Sequence, residues 1–199
     1  MTSCYMKTEA SMKICKFSTE TKDYLSCFYS ILDSMVQNME SIELCDSISH
    51  NFIAQMIPHH QAAIEMANNL LNHSCWLPLR RIATNIISSQ TKSIDSMCDS
   101  LDCCDEPINS QCDQDLYNRH FHNIMHTMSC EMDTARSTNN INANFIRQMI
   151  PHHLGGIRMS ENALHYDICP ELVPILHAII VSQRRGIQEM QHLLRCISR

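Results

Sequence analysis

Along most of this chain, apolar side chains recur at spacings of three and four, the period at which residues share one face of an α-helix. Tyr24, Phe28, Ile31 and Met35 make one such stripe, and Leu79, Ile82, Ile86, Ile94, Met97 and Leu101 make another. Strict alternation of apolar and polar positions, the mark of a half-buried strand, is not a recurring feature. Only 3 Gly and 6 Pro occur in 199 residues, which leaves little turn material for an all-β fold, so long helices are expected.

The pattern is written twice. Asn51-Phe52-Ile53-Ala54-Gln55-Met56-Ile57-Pro58-His59-His60 returns as Asn144-Phe145-Ile146-Arg147-Gln148-Met149-Ile150-Pro151-His152-His153, an offset of 93 residues. Upstream, Tyr24, Phe28, Ile31, Met35 and Met39 match Tyr117, Phe121, Ile124, Met128 and Met132. Downstream, Met66, Asn69, Gln90, Met97 and Leu101 match Met159, Asn162, Gln183, Met190 and Leu194. The chain is a tandem duplication, and what both copies kept is apolar positions at helical spacing together with Met, His, Gln and Asn.

Each copy reads as three helices. The first covers about 20–41 and 113–135, the second starts at about 48 and ends near 72, and the third covers about 78–101 and 170–197. Asp46, Ser47 and Ser49 offer N-caps for the second helix, as Asn139, Asn140 and Asn142 do in the repeat. Breaks fall at Ser74-Cys75-Trp76-Leu77-Pro78 and Asp167-Ile168-Cys169-Pro170, where proline suits the first turn of the helix that follows. The organisation expected is an N-terminal extension over 1–19, a first unit over 20–101, a cysteine-rich linker over 102–112 and a second unit over 113–199. Together these give an all-α bundle of two three-helix repeats related by pseudo-twofold symmetry.

On a helical wheel, Phe52, Ile53, Met56, Ala63, Ile64, Ala67, Leu70 and Leu71 fill one arc, with His59, His60 and Met66 inside it or at its edge. Glu65 and Asn68 face away. Met149, His152, His153 and Met159 repeat the arrangement. Pro58 and Pro151 either kink one continuous helix ahead of each His pair or begin a shorter helix, and the sequence leaves both open. Gln90 and Gln183 sit in the middle of an apolar stripe. Each is either a core amide satisfied locally or a side chain that orients an imidazole by hydrogen bonding. Met35, Met39, Met128 and Met132 are gap-filling core residues by default, because Met packs irregular spaces well. Their retention beside an inward His pair makes thioether ligation the sharper alternative.

Composition adds to this picture. The 12 His, 14 Met and 12 Cys amount to close to a fifth of the chain, all of them soft or borderline metal donors. Neutral imidazole with thioether sulfur suits Cu(I), whereas no carboxylate repeats on the inner faces to suit a hard ion. A formal net charge of −6 argues against nucleic-acid binding. No apolar run reaches membrane-spanning length, and the N-terminus lacks a signal-peptide core, so a cytoplasmic chain is expected, with homo-oligomerisation left open. The cysteines are then expected as reduced thiols, with a disulfide set as the alternative. Cys98, Cys103, Cys104 and Cys112 gather around the linker and could make a thiolate Cu(I) or zinc site, although their spacing is not a recognised zinc-finger pattern. His120, His122 and His126 lie off the apolar stripe and read as a solvated face.

The doubled phrase Phe-Ile-x-x-Met-Ile-Pro-His-His, followed by Ile64-Glu65-Met66-Ala67 and later by Ile86-Ile87-x-x-Gln90-x-x-x-Ile94-x-x-Met97, resembles the DUF305 family over about 24–101 and 117–194. The resemblance implies a ferritin-like helical bundle and, from some relatives, copper binding through Met and His. Matched by position, the implied metal ligands are Met56, His59, His60 and Met66, then Met149, His152, His153 and Met159. Met35, Met39, Met97, Met128, Met132 and Met190 are extensions of that set. Family members are typically exported, whereas this chain shows no leader and carries many cysteines.

Three functions are weighed. The first is a metal-binding protein that sequesters, stores or buffers Cu(I). The second is a structural or interaction module whose Met and His only pack the core. The third, a di-iron oxidase, wants two inward Glu-x-x-His pairs. The single Glu189-Met190-Gln191-His192 places Met190 inward, so Glu189 and His192 point out.

Overall fold

The computed structural model describes residues 17–101, 104 and 107–197. The described residues form six helices: α1 (Thr19–Glu40), α2 (Ile48–His73), α3 (Leu77–Leu101), α4 (Gln111–Asp133), α5 (Ile141–Ala163) and α6 (Leu172–Ile197). The described residues hold no strand, so the chain is all-α as its apolar period requires. The helix α4 repeats α1, α5 repeats α2 and α6 repeats α3.

Polar side chains set the starts of four helices. Ser18 accepts from the Thr21 amide, Ser47 from His50, Ser110 from Asp113 and Asn140 from Ala143, at 3.1–3.4 Å. Each supplies one of the acceptors that the first turn of a helix lacks, an effect of about 1 kcal/mol. Ser47 and Asn140 are among the caps the sequence offers for the double-histidine helices. Pro78 lies in the first turn of α3 as expected. Pro170 does not do so for α6: the helix begins two residues later, and the proline in its first turn is Pro174, whose missing N–H lies among the groups left free there anyway.

The helices pack as three layers of two. The central layer is α2 against α5; α1 and α4 cover one side of it, and α3 and α6 the other. One apolar core runs through all three layers and takes in Tyr24, Phe28, Phe52, Tyr117, Phe121 and Phe145 with most of the methionines. Polar residues that both copies kept tie the layers together. Tyr24 donates its hydroxyl to Gln148 at 3.0 Å and Tyr117 donates to Gln55 at 2.7 Å, so each unit reaches into the other. Within a unit, the Asn69 amide donates to the Tyr24 carbonyl at 3.0 Å, and Asn162 to that of Tyr117 at 3.1 Å. Asn51 closes the loop before α2 by accepting from the Cys45 amide and donating to its carbonyl, and Asn144 does the same with Thr138.

The cysteines depart in part from the reduced state expected of them. Cys104 in the linker and Cys169 before α6 form a disulfide, with Cα atoms 5.3 Å apart. Both are buried, and the bridge pins the linker to the second unit. This takes Cys104 out of any thiolate site around the linker. Cys98 and Cys112 are free and exposed, while Cys103 lies outside the described residues, as do residues 1–16 of the N-terminal extension. No described helix is long and apolar enough to cross a membrane.

Candidate metal centre

Pro58 and Pro151 each lie inside one continuous helix, α2 and α5 respectively, which excludes a helix restart at that point. A proline there removes one backbone N–H and crowds the preceding turn. The His pair follows immediately, at the middle of the central layer. All four imidazoles are buried.

The rings form a row across the axis that relates the two units. His60 and His59 have centroids 5.8 Å apart, His59 stacks on His152 at 3.9 Å with 28° between planes, and His152 and His153 are 6.0 Å apart. The Nε2 of His59 lies 3.2 Å from the backbone oxygen of His152. A carbonyl can only accept, so this nitrogen carries the proton and donates. The Nδ1 of His59 is then a bare lone pair, and it is buried with no hydrogen-bond donor in reach. Both nitrogens of His152 and the Nδ1 atoms of His60 and His153 are likewise buried and unpaired. Native cores satisfy nearly all buried polar groups, and leaving one unpaired costs roughly 1–3 kcal/mol. Their gathering in one place makes the His row the candidate site.

Burial also fixes the charge of these rings. Desolvation lowers the pKa of His59 to about 4, with the bond to the His152 carbonyl opposing it, and lowers that of His153 to about 3, with His59 adding to the effect. His60 and His152 are held well below the usual value by burial first and by the neighbouring rings second. All four are neutral at pH 7, the form in which imidazole binds a metal.

The two ends of the row differ. His60 places Nε2 3.1 Å from the hydroxyl of Ser93 in α3. The equivalent position in α6 is Gly186, and a Cβ built there would lie 3.1 Å from both Cδ2 and Nε2 of His153. The backbone of α6 therefore closes on His153 where a hydroxyl meets His60. Gly156 is a second close approach: its missing Cβ would sit 2.5 Å from Oε1 of Gln183 and 3.0 Å from Cε1 of His59.

The methionines singled out by sequence, Met35, Met39, Met56, Met66, Met97, Met128, Met132, Met149, Met159 and Met190, are all buried in the same core. Met56 and Met66 share α2 with the first His pair, and Met149 and Met159 share α5 with the second. Met35 and Met39 on α1, with Met132 on α4, belong to the covering layer. Met128, also on α4, packs on Gly155 of α5. Gln90 and Gln183 are buried with Oε1 unpaired in both and Nε2 unpaired in Gln183. The hydrogen bond that orients His60 comes from Ser93, a residue the repeat comparison passes over because its partner is Gly186. Among the described residues, no three His, Cys, Asp or Glu side chains are placed to hold a metal ion together. A centre here would have to combine imidazole with thioether or amide. Zinc, which takes four N, S or O ligands, is poorly served by that set.

Other candidate donors stay outside. His120, His122 and His126 are exposed, as a solvated face requires. The Glu189 carboxylate takes the Arg185 guanidinium at 2.9 Å, His192 is exposed and Met190 is buried, so the Glu-x-x-His segment does not face the core.

No curated protein matches the chain. Among solved structures, it is similar to the crystal structure of a DUF305 fragment from Deinococcus radiodurans, with a TM-score of 0.54 and 24% identity over 74% of this chain and 95% of that one, a likeness in fold. A family model described as a domain of unknown function, DUF305, matches residues 49–194. That span takes in both double-histidine helices, and the chain belongs to the DUF305 family.

Proposed function

We propose that this protein binds Cu(I) at the paired histidines and acts in its sequestration, storage or buffering. One observation carries the reading: the His59 proton is committed to a backbone carbonyl, so Nδ1 is a neutral, buried lone pair with no protein partner. An uncharged core has no reason to keep such an atom, whereas a metal ion does. Neutral imidazole with buried thioethers selects a soft cation, and among the described residues no buried carboxylate favours a hard one. His59, His60, His152 and His153 would supply nitrogen, with Met56, Met66, Met149 and Met159 as the nearest sulfur donors by position on the same helices. The resemblance of the doubled motif to the DUF305 family, which implies copper binding from some relatives, points the same way.

The test is a titration of the reduced protein with Cu(I) against a competing chelator, in the wild type and in a variant with all four histidines replaced by Ala. The wild type is expected to compete and the variant to lose the site. Because four cavities could unfold the variant, thermal unfolding of the wild type with and without Cu(I) is read alongside. An ion that binds only the native state at a hundred times its Kd stabilises by about 2.7 kcal/mol. No competition and no thermal shift in the wild type would leave the four rings as packing residues of an interaction module.

A further inference from the structure

Three helices bring buried polar atoms to one point on α5. A Cβ built at Gly156 would lie 2.5 Å from Oε1 and 2.8 Å from Nε2 of Gln183, and 3.0 Å from Cε1 of His59. The Gln183 amide, from α6, and the edge of the His59 ring, from α2, therefore both press on the bare backbone of α5. Gly156 follows His152 by one helical turn, so that ring shares the face. Both amide atoms of Gln183, Nδ1 of His59 and both nitrogens of His152 are buried there without a hydrogen bond. Gln183 is 3% exposed and the two rings 0%.

The first unit is built differently. Its counterpart of Gly156 is Ala63, which carries a buried methyl group where the second unit admits an amide. Of the Gln90 amide, the counterpart of Gln183, only Oε1 is buried and unpaired. Glycine weakens a helix interior relative to alanine, so α5 gives up helix stability at 156 for room. That room holds an amide with nothing in the protein to bind. Its oxygen and the imidazole lone pairs beside it are all acceptors, and a neutral ring keeps one lone pair in either tautomer. Acceptors gathered without a donor are what a cation needs.

We infer that Gln183 is a ligand of the copper site, supplying its amide oxygen beside His59 Nδ1 and a ring nitrogen of His152, and that Gln90 is not. The inference rests on the copper reading above and adds an oxygen donor to its histidines and methionines. A glutamine oxygen serves as a weak extra ligand in copper centres that contain two imidazoles. Both amide atoms border the same gap, so a half-turn about the last side-chain bond presents the oxygen without moving α6. The ion is thereby assigned to the stack of His59 on His152, on the Gly156 side.

The experiment compares the reduced wild type with Gln183→Leu, Gln183→Met and Gln90→Leu. Leucine fills a similar volume without a donor atom and removes two unpaired polar atoms from the core. Metal-free Gln183→Leu should therefore unfold in urea at or above the wild-type midpoint. In chelator competition it should lose Cu(I) affinity by about tenfold, the scale of a lost weak ligand. Gln183→Met, which restores a soft donor, should regain that affinity, and Gln90→Leu should bind as the wild type does. In the wild type, Cu(I) should shift the side-chain amide NMR signal of Gln183 more than that of Gln90. Wild-type affinity in a folded Gln183→Leu, or equal losses in Gln183→Leu and Gln90→Leu, would overturn the assignment while leaving the copper site standing. A lowered metal-free midpoint in Gln183→Leu would make the amide a structural group and overturn it as well. Should that variant fail to fold, a Gln183 signal that Cu(I) leaves unmoved in the wild type has the same consequence. A wild type that takes up no Cu(I) would overturn the copper reading and the Gln183 ligand with it.

Discussion

Tyr24 in the first unit donates its hydroxyl to Gln148 in the second at 3.0 Å, and the reverse bond from Tyr117 to Gln55 measures 2.7 Å. Burial pushes the pKa of both phenols up, which keeps them protonated and donating. Tyr24→Phe should therefore leave Gln148 Oε1 buried without a donor and cost about 1–3 kcal/mol. Tyr117→Phe should do the same at Gln55. The two losses should add to within about 0.5 kcal/mol, because the pairs share no partner. Urea midpoints of the two single variants and the double variant measure this, and an unshifted midpoint would mean the cross-ties contribute nothing to joining the units.

The neutral histidines predict how the metal-free protein responds to acid. Unfolded histidine takes up a proton near pH 6.5, whereas folded His59 does so at about 4 and folded His153 at about 3. The unfolded chain therefore binds more protons between these values, and stability falls as pH drops through that window. Each such residue contributes a slope of up to about 1.4 kcal/mol per pH unit. Stability should be insensitive to these groups above about pH 7.5 and decline steeply from pH 6.5 towards 4. Denaturant titrations at several pH values read the slope, and His59→Gln should flatten it.

Gly155→Ala should destabilise, against the usual trend. Alanine is the better helix former by about 1 kcal/mol in an exposed position. Here its methyl would overlap Met128 Sδ and lie 3.2 Å from Met128 Cβ, an atom that moves only with the α4 backbone. Overpacking of this kind costs about 1–3 kcal/mol, and the net effect should be a lowered unfolding midpoint. A stabilised Gly155→Ala would mean that α4 and α5 separate more easily than their packing indicates.

Much of this architecture was legible in the sequence because it is periodic and written twice. The stripe from Tyr24 to Met35 set the α1 face, and the 93-residue repeat carried that reading to α4. The wheel placed His59 and His60 inward beside Phe52 and Met56, and outward positions such as Glu65 and Asn68 are indeed exposed. What escaped were relationships between units, which no local period encodes. The Tyr–Gln cross-ties depend on which helices meet, as does the stacking of His59 on His152. Ser93 escaped for a different reason: comparing the copies highlights what they share, and the asymmetry at 93 and 186 is what distinguishes the two ends of the His row. The Cys104–Cys169 bridge joins positions 65 residues apart that no spacing rule connects.

That bridge makes its own prediction. It closes a long loop of chain, and removing a cross-link of this span frees unfolded-state entropy worth about 2–4 kcal/mol. The double variant Cys104→Ala and Cys169→Ala should unfold at lower denaturant by that margin. Peptide mapping under non-reducing conditions should recover the 104–169 pair, and the exposed Cys27, Cys45, Cys75, Cys98, Cys112, Cys130 and Cys196 should label freely. A wild type in which Cys104 and Cys169 also label at once, with no loss of stability in the double variant, would remove the bridge from the account.

The sharpest discrimination between a copper site and a packed core lies in the methionines, because leucine nearly matches their volume and lacks the donor atom. Met56 and Met149 are fully buried pseudo-symmetry partners, each one helical turn before the second histidine of its pair. A volume-conserving swap in such a core costs less than about 1.5 kcal/mol, so Met56→Leu with Met149→Leu should fold normally. If the two sulfurs are ligands, the same variant should lose Cu(I) affinity by a factor of ten or more, since a lost ligand worth about 1.4 kcal/mol is tenfold in Kd. Chelator competition gives the affinity and urea denaturation the stability, on the same preparations. Unchanged affinity in a well-folded double variant would remove Met56 and Met149 from the ligand set. Lost affinity with unchanged stability is a result that core packing cannot produce.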